Sequence, residues 1–434
     1  MQLTRFSLPV VAALLVGAAT GPGARTAQAA EEKPITAADY SFPAEWEPHE
    51  SIWLGWPAEE YVKSRPFADV QIEMIQALAG LVKVDLVVQT EDEAAKVKRL
   101  FGERKVRHDH VRFHAVPHTD IWFRDMGPLF VKDRTGALAV VDFKFNLWGT
   151  AGSEDKSARI DDAVDRTIAR RLKLPTLASP LILEGGALEF NGRGTVITTE
   201  AVVFERNPKM SKAAAEAELK RLFNVRKIVW VKEGLAEDDS PIRGVLPGGL
   251  FTLGTNGHVD EFVRFVDART ILLAEVTAAE AAADPVALIS RQRLETAYEA
   301  LSAASDQDGK SFRIVRVPAA DPIINTVKPG DYVYDELITQ YQFKDGTKIK
   351  KGEPIKLIAA TSYLNYLVTN GVVLVPKYAR PGRPASVGDK DERVRHLLAE
   401  TFLDRKIVQI NAENVNLGGG GMHCITQQQP ASSR

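Results

Sequence analysis

The run Gly418-Gly419-Gly420-Gly421-Met422-His423-Cys424-Ile425-Thr426-Gln427-Gln428-Gln429-Pro430 lies at the far end of the chain, and the rest of the sequence is read from it. Four consecutive glycines let backbone approach a ligand or a neighbouring strand where a Cβ would clash, at an entropic cost. A thiol follows, then polar amides, then a proline. Cys424 is the only cysteine in the 434-residue chain. Such a thiol is either a small buried packing residue or a nucleophile in a tight pocket. The remaining sequence has to separate the two.

The opposite terminus bears on this choice. Arg5, the apolar run Leu8 to Ala19 and the small-x-small site Ala27-Gln28-Ala29 read as a secretory signal peptide over residues 1–29. The apolar run is too short to span a bilayer. There is no cysteine at the cleavage region and no twin-arginine pair before the apolar run. The expectation is an exported, periplasmic or secreted protein with one catalytic domain over residues 30–434. Exported proteins use cysteines in disulfide pairs. A solitary one points to a reactive thiol or an intermolecular bridge, which favours the nucleophile.

Composition is that of a globular protein, 45% apolar and 26% charged, and the length is ample for a large core. The formal charge is −2, and loss of Arg5 and Arg25 with the signal makes the mature chain more acidic. With no basic tract there is no electrostatic case for nucleic acid or for an anionic membrane surface as partner. A homo-oligomer is compatible with the sequence.

Hydrophobic periodicity predicts strands at Ser51–Trp56, Val84–Val88, Val111–Val116, Phe130–Val131 and Leu138–Phe143. Three more follow at Leu181–Leu183, Ala187–Phe190 and Thr195–Thr198, and another at Lys227–Val231. Further strands are expected at Phe262–Val266, Thr270–Ala274, Arg313–Val317, Tyr363–Val368, Val372–Val375 and Ile407–Ile410. Helices are predicted at Ala68–Leu81, Glu91–Leu100, Arg159–Leu172, Lys212–Phe223, Asp284–Ala303 and Asp389–Phe402. The order repeats loosely as two strands, a helix and a strand, with no linker. This is an α/β domain built of similar units.

Four polar constellations stand at predicted strand ends, where a rigid scaffold can position function. Asp120-Ile121-Trp122-Phe123-Arg124-Asp125-Met126-Gly127-Pro128 carries carboxylates beside an aromatic face, an arrangement that can hold a planar cation. Leu183-Glu184-Gly185-Gly186 ends a strand with a carboxylate and little bulk. Asn256-Gly257-His258-Val259-Asp260 puts His258 and Asp260 two apart, so in extended backbone they share a face with Phe262 and Arg264. Ser362-Tyr363-Leu364-Asn365-Tyr366 holds a polar Asn365 that needs a partner if buried. His108, His110, His114 and His118 also have even spacing. No cysteine or spaced acid completes a zinc set, so they are read as an edge or surface strand and no metal is expected.

Taken with the glycine-rich His423-Cys424 run, these motifs resemble, in order from about Phe42 to Pro430, the agmatine deiminase family, which includes the Porphyromonas-type peptidyl-arginine deiminases. The resemblance implies a five-fold pseudosymmetric α/β propeller of ββαβ units (pentein-like), with no metal or organic cofactor. It implies Cys424 as nucleophile, His258 as general acid and base, and Asp125 and Asp260 as the carboxylates that hold the guanidinium. It further implies Glu184 as support for the histidine, with Trp122 and Asn365 at the substrate. The implied reaction turns agmatine into N-carbamoylputrescine and ammonia, or arginine or an arginine-containing peptide into citrulline, through a thiouronium on Cys424. The alternatives are an amidinotransferase, an exported cysteine peptidase and an inactive binding protein.

Three departures from the family pattern concern the substrate. Gly421 stands where agmatine deiminases commonly have asparagine. Phe262-Val263-Arg264-Phe265 replaces a more neutral stretch. Asp331 to Ile358, with Tyr332, Tyr334, Tyr341 and Phe343, is longer than usual. If Arg264 shares the Asp260 face, it can meet a substrate carboxylate and favour arginine over agmatine.

Overall fold

Strand His49–Gly55 joins the first and last parts of the described chain. It pairs antiparallel with the last strand, Thr426–Pro430, and parallel with Lys83–Val88, which is followed in turn by Val111–Ala115. The computed structural model describes residues 40–57, 66–152, 154–340 and 343–432. The signal-peptide reading of residues 1–29 and Tyr341 lie outside them. The described chain is a single mixed α/β domain. Among the described residues no helix is long and apolar enough to cross a membrane.

Among the described residues all six sheets combine an antiparallel pair with a parallel strand, and in five of them the strand shared by the two pairings is followed in the chain by its parallel partner. The sheet just described is the first. In the second, Leu129–Asp133 pairs antiparallel with Leu138–Lys144, which runs parallel to Thr176–Ile182. The others are Leu188–Phe190 with Thr195–Thr199 and Lys227–Val231, Val263–Phe265 with Thr270–Glu275 and Arg313–Pro318, and Leu367–Thr369 with Val372–Lys377 and Lys406–Asn411. Parallel neighbours need a long crossover, which helices supply: Phe67–Leu78, Lys156–Asp161 with Val164–Leu172, Lys212–Phe223, Pro285–Ala303 and Ala385–Thr401. The central strands are buried and apolar, as covered parallel strands must be; Val372, Val373, Leu374 and Val375 have no exposed surface.

Local chemistry sets the element ends. Asp284 caps Pro285–Ala303 by accepting the Val286 and Ala287 amides, with proline at the first helical position. Ser211 accepts the Ala214 amide, and Asn224 closes the same helix in a left-handed conformation.

Several expectations are corrected. The helix expected over Arg159–Leu172 is two helices, broken where the Asp162 carboxylate accepts the Phe145 amide and pairs with Arg166. The strand expected from Tyr363 starts only at Leu367, because the Leu364 and Tyr366 carbonyls accept from the Arg264 side chain instead. His258 and Asp260 do not lie on extended backbone: Val259–Glu261 is a 3₁₀ turn. The three glutamines after Cys424 form a strand. Gln428 meets Arg124 and Glu45, and Gln429 accepts from Trp53. The long segment after Asp331 contributes helix Tyr332–Gln340 and strand Ile355–Ile358, which joins Leu250–Phe251 and Ile324–Val327 in the sixth sheet.

Candidate active site

Each of the five repeated sheets begins with a strand, and each site residue lies a few positions before one. Asp125 precedes Leu129–Asp133, Glu184 precedes Leu188–Phe190, and His258 and Asp260 precede Val263–Phe265. Asn365 precedes Leu367–Thr369 and Cys424 precedes Thr426–Pro430. Five motifs far apart in sequence are thereby brought to one place.

Cys424 is buried, and its Sγ accepts from Asn365 Nδ2 at 3.1 Å. The sulfur lies 3.5 Å from Glu261 Oε1 and 3.7 Å from Asp260 Oδ2. Burial and the Asp260, Glu261 and Asp125 carboxylates push the thiol well above its ordinary range. Burial, with Asp260 and Asp238 nearby, likewise pushes the Glu261 carboxyl well up.

His258 has no exposed surface and is flanked by acids, with Nε2 3.3 Å from Glu184 and Nδ1 3.8 Å from Asp125. Burial disfavours its charged form, but Asp125, Glu184 and Asp260 outweigh this and hold it at about 9. Burial alone would raise Glu184, yet Arg206, which donates to it at 2.9 Å, and His258 bring it to about 2. Asp125 is lifted by burial to about 6, with His258 opposing and Glu184 and Asp260 reinforcing the shift. Its oxygens accept from Trp148 Nε1 at 2.9 Å and the Gly186 amide at 3.1 Å. Asp260 is kept below its ordinary range despite burial, chiefly by His423, whose Nδ1 is 2.6 Å from Oδ2.

Gly186 shows how tightly these groups converge. A Cβ there would lie 2.6 Å from His258 Nδ1, 3.0 Å from Asp125 Oδ1 and 3.2 Å from Asp260 Oδ2. Gly421 serves a similar purpose beside the nucleophile. A Cβ there would fall 2.4 Å from Asn365 Oδ1, the oxygen that accepts the His423 and Cys424 amides at 2.8 and 3.2 Å. Glycine is thus what allows Asn365 to grip the Cys424 backbone with its oxygen and the sulfur with its nitrogen.

The site opens into a cleft whose lining includes Asp120, Trp122, Asp125, Trp148, Val333 and Cys424. Val333 comes from the long segment after Asp331. Trp122 and Trp148 meet edge to face at 6.5 Å between ring centroids.

Arg264 is corrected. It is fully buried, pairs with Glu45 and Glu189, donates to the Leu364 and Tyr366 carbonyls, and covers the Tyr366 ring at 4.4 Å. Its charge is spent in the core, so it does not meet substrate. The four spaced histidines take separate partners: His108 the Val106 carbonyl, His110 that of Ile75, His114 Asp85, and His118 the Val116 and Trp56 carbonyls. Among the described residues the one group with metal-ligating geometry is Asp260, Glu261 and Cys424, within the site itself.

Sequence reasoning missed Glu261, Trp148, Arg206 and Asp238. Asp238 accepts the Thr255, Gly257 and His258 amides and so fixes the His258 loop. Glu261 alone had a signal, its place next to Asp260.

Residues 41–430 match the family model for Porphyromonas-type peptidyl-arginine deiminases. The chain is similar to the agmatine deiminase of Medicago truncatula, with 32% identity over 410 residues covering 90% of this chain and 96% of that one. It is similar to the agmatine deiminase of Pseudomonas aeruginosa (strain LESB58), with 31% identity over 402 residues and coverage of 90% and 96%. Among solved structures, the agmatine deiminase of Enterococcus faecalis matches with a TM-score of 0.69 and 26% identity, covering 91% of this chain and 97% of that one.

Proposed function

Because the chain belongs to the Porphyromonas-type peptidyl-arginine deiminase family, we propose that this cleft hydrolyses the guanidinium of agmatine, giving N-carbamoylputrescine and ammonia. The enzyme is a guanidine-modifying C–N hydrolase acting on a small guanidinium substrate. The observation that carries the choice of agmatine is the charge of the cleft. Among the described residues its lining includes Asp120 and Asp125 but no lysine, arginine or histidine. A dication fits there. The α-carboxylate of free arginine would enter an acidic cleft with no cationic side chain among the described residues of its wall to receive it, and burying an unpaired charge is costly.

The chemistry follows from the protonation states. Asp125 and Asp260 bind the guanidinium by charge-assisted hydrogen bonds and set its central carbon over Cys424. The free thiol is held protonated by its burial and by the surrounding carboxylates. A bound cation beside them reverses that bias, and the thiol loses its proton to solvent as the thiolate forms. Attack forms a tetrahedral centre. His258, cationic at neutral pH, gives its proton to the departing ammonia and becomes the base that activates water. Water then displaces Cys424 from the thiouronium and leaves the ureido product. Trp122 and Asn365 line this site, and Glu184 orients the imidazole.

Purified protein offered agmatine, free arginine and an arginine peptide, scored for ammonia and ureido product, tests this reading. Agmatine is expected to exceed free arginine in kcat/KM by about 10²-fold or more, the penalty of one unpaired carboxylate. Equal turnover of free arginine, or peptide cleavage without ammonia, contradicts it.

The five repeated sheets are blades of a pseudosymmetric propeller of ββαβ units around the site. Their common strand order, and the placement of one motif before each first strand, support this. Residues 1–29 direct export and are then removed. N-terminal sequencing of the native protein is expected to begin near Ala30; a retained Met1 contradicts it.

A further inference from the structure

The proline-punctuated segment Pro43-Ala44-Glu45-Trp46-Glu47-Pro48 reaches the site through Glu45. Glu45 accepts from Arg124, Arg264 and Gln428. Its two oxygens also stand 2.8 and 3.1 Å from His423 Nε2. The other ring nitrogen of His423, Nδ1, stands 2.6 Å from Asp260 Oδ2. His423 is 1% exposed and Asp260 fully buried. The second Asp260 oxygen, Oδ1, is buried with no hydrogen-bond partner among the described residues. A carboxylate can only accept. Two carboxylates on opposite sides of one imidazole therefore require both ring nitrogens to donate, which locks the ring plane.

We propose that Glu45 and His423 are positioning residues for Asp260: Glu45 fixes the His423 ring, His423 Nδ1–H occupies Asp260 Oδ2, and Asp260 Oδ1 is thereby held free to accept a guanidinium N–H. This rests on the guanidinium reading of the site. It accounts for three observations at once: a histidine next to the nucleophile that does not contact the sulfur, a charged residue carried in from the N-terminal segment, and an unpartnered oxygen on a buried carboxylate. His423, then Arg264 and Arg124, keep Glu45 ionised against its burial, well below the usual carboxylate range.

The test uses two substitutions that split the two nitrogens of the ring. In His423→Asn the side-chain amide nitrogen falls near the Nδ1 position and can still donate to Asp260. In His423→Gln it falls near Nε2 and can reach only toward Glu45. His423→Gln is expected to raise the KM for agmatine by about tenfold to a hundredfold over wild type, the worth of one hydrogen bond to a charged group. His423→Asn should raise it far less, with kcat changed less than KM in both. Equal KM values for the two variants, or a wild-type KM in His423→Gln, overturn the proposal. A second measurement holds if either variant fails to fold. Wild-type protein should show a strongly deshielded exchangeable proton, from Nδ1–H in its short contact with Asp260. Glu45→Gln should move it, and so should a bound guanidinium. Its absence, or its indifference to both, overturns the proposal. Because the resonance is read first without substrate, failure of the wild type to deiminate any guanidine would sink the functional reading separately.

Discussion

Cys424→Ala is expected to lower agmatine turnover by about 10⁴-fold or more, the order seen when a covalent nucleophile is removed. The substitution deletes only Sγ, which receives one N–H, from Asn365. The backbone around it stays gripped. The Cys424 amide donates to Asn365 Oδ1 at 3.2 Å, and the Cys424 carbonyl accepts from the Arg124 amide at 2.9 Å. Thermal stability should therefore change little. Agmatine binding should survive, since Asp125 and Asp260 are untouched. Stopped turnover together with retained binding, measured by calorimetry, assigns the sulfur to the chemical step. Residual turnover within tenfold of wild type would mean that another group attacks the substrate.

His258→Gln is expected to cost about 10³- to 10⁴-fold in kcat, the upper part of the range for a general acid and base. Glutamine keeps a polar group between Glu184 and Asp125 but cannot carry a proton to ammonia or take one from water. The pH profile supplies an independent check. Asp125 has to be ionised to hold the guanidinium, and with its carboxyl lifted to about 6, kcat/KM should be present above that pH and lost as pH falls through it. His258 has to be protonated to release ammonia, and at about 9 its contribution is present below that pH and lost as pH rises through it. Wild type should thus give a bell with apparent limbs near these two values. The two groups interact, so the limbs belong to the pair as macroscopic values. The residual activity of His258→Gln should lack the alkaline limb. An unchanged alkaline limb in the variant would move the acid role to another residue.

The same residues show how far the sequence could be read. Strand and helix positions followed from apolar periodicity wherever the backbone made its own ladder, as in Lys212–Phe223 and Lys227–Val231, whose bounds match the expectation. They were misread where side chains took over backbone bonding: Arg264 captures the Leu364 and Tyr366 carbonyls, and Asp162 interrupts a helix. Cys424, His258, Asp125, Asp260, Glu184 and Asn365 were visible because each stands in a compact polar motif beside a strand. The assignment of Arg264 to substrate failed for a specific reason. It assumed extended backbone from Asp260 onward, where the chain makes a 3₁₀ turn. That turn also brings Glu261 to the sulfur, although alternation would have sent it to the opposite face. Glu45 and Trp148 have no local signal, because their roles arise from contacts across hundreds of residues for Glu45 with His423 and from a loop contact to Asp125 for Trp148. Gly421 is explained by the Asn365 side chain that fills the space a Cβ would need.

The proposed reaction requires a covalent bond between Cys424 and the guanidinium carbon of a substrate held by buried carboxylates. Its most direct test is acid quenching of the enzyme during agmatine turnover, followed by mass analysis of the peptide that contains Cys424. The expected result is a peptide heavier by agmatine less one ammonia, with ammonia released in step, and with no such adduct in Cys424→Ala. Continued formation of ammonia and ureido product with Cys424 unmodified at every quench time, and undiminished by Cys424→Ala, would contradict it.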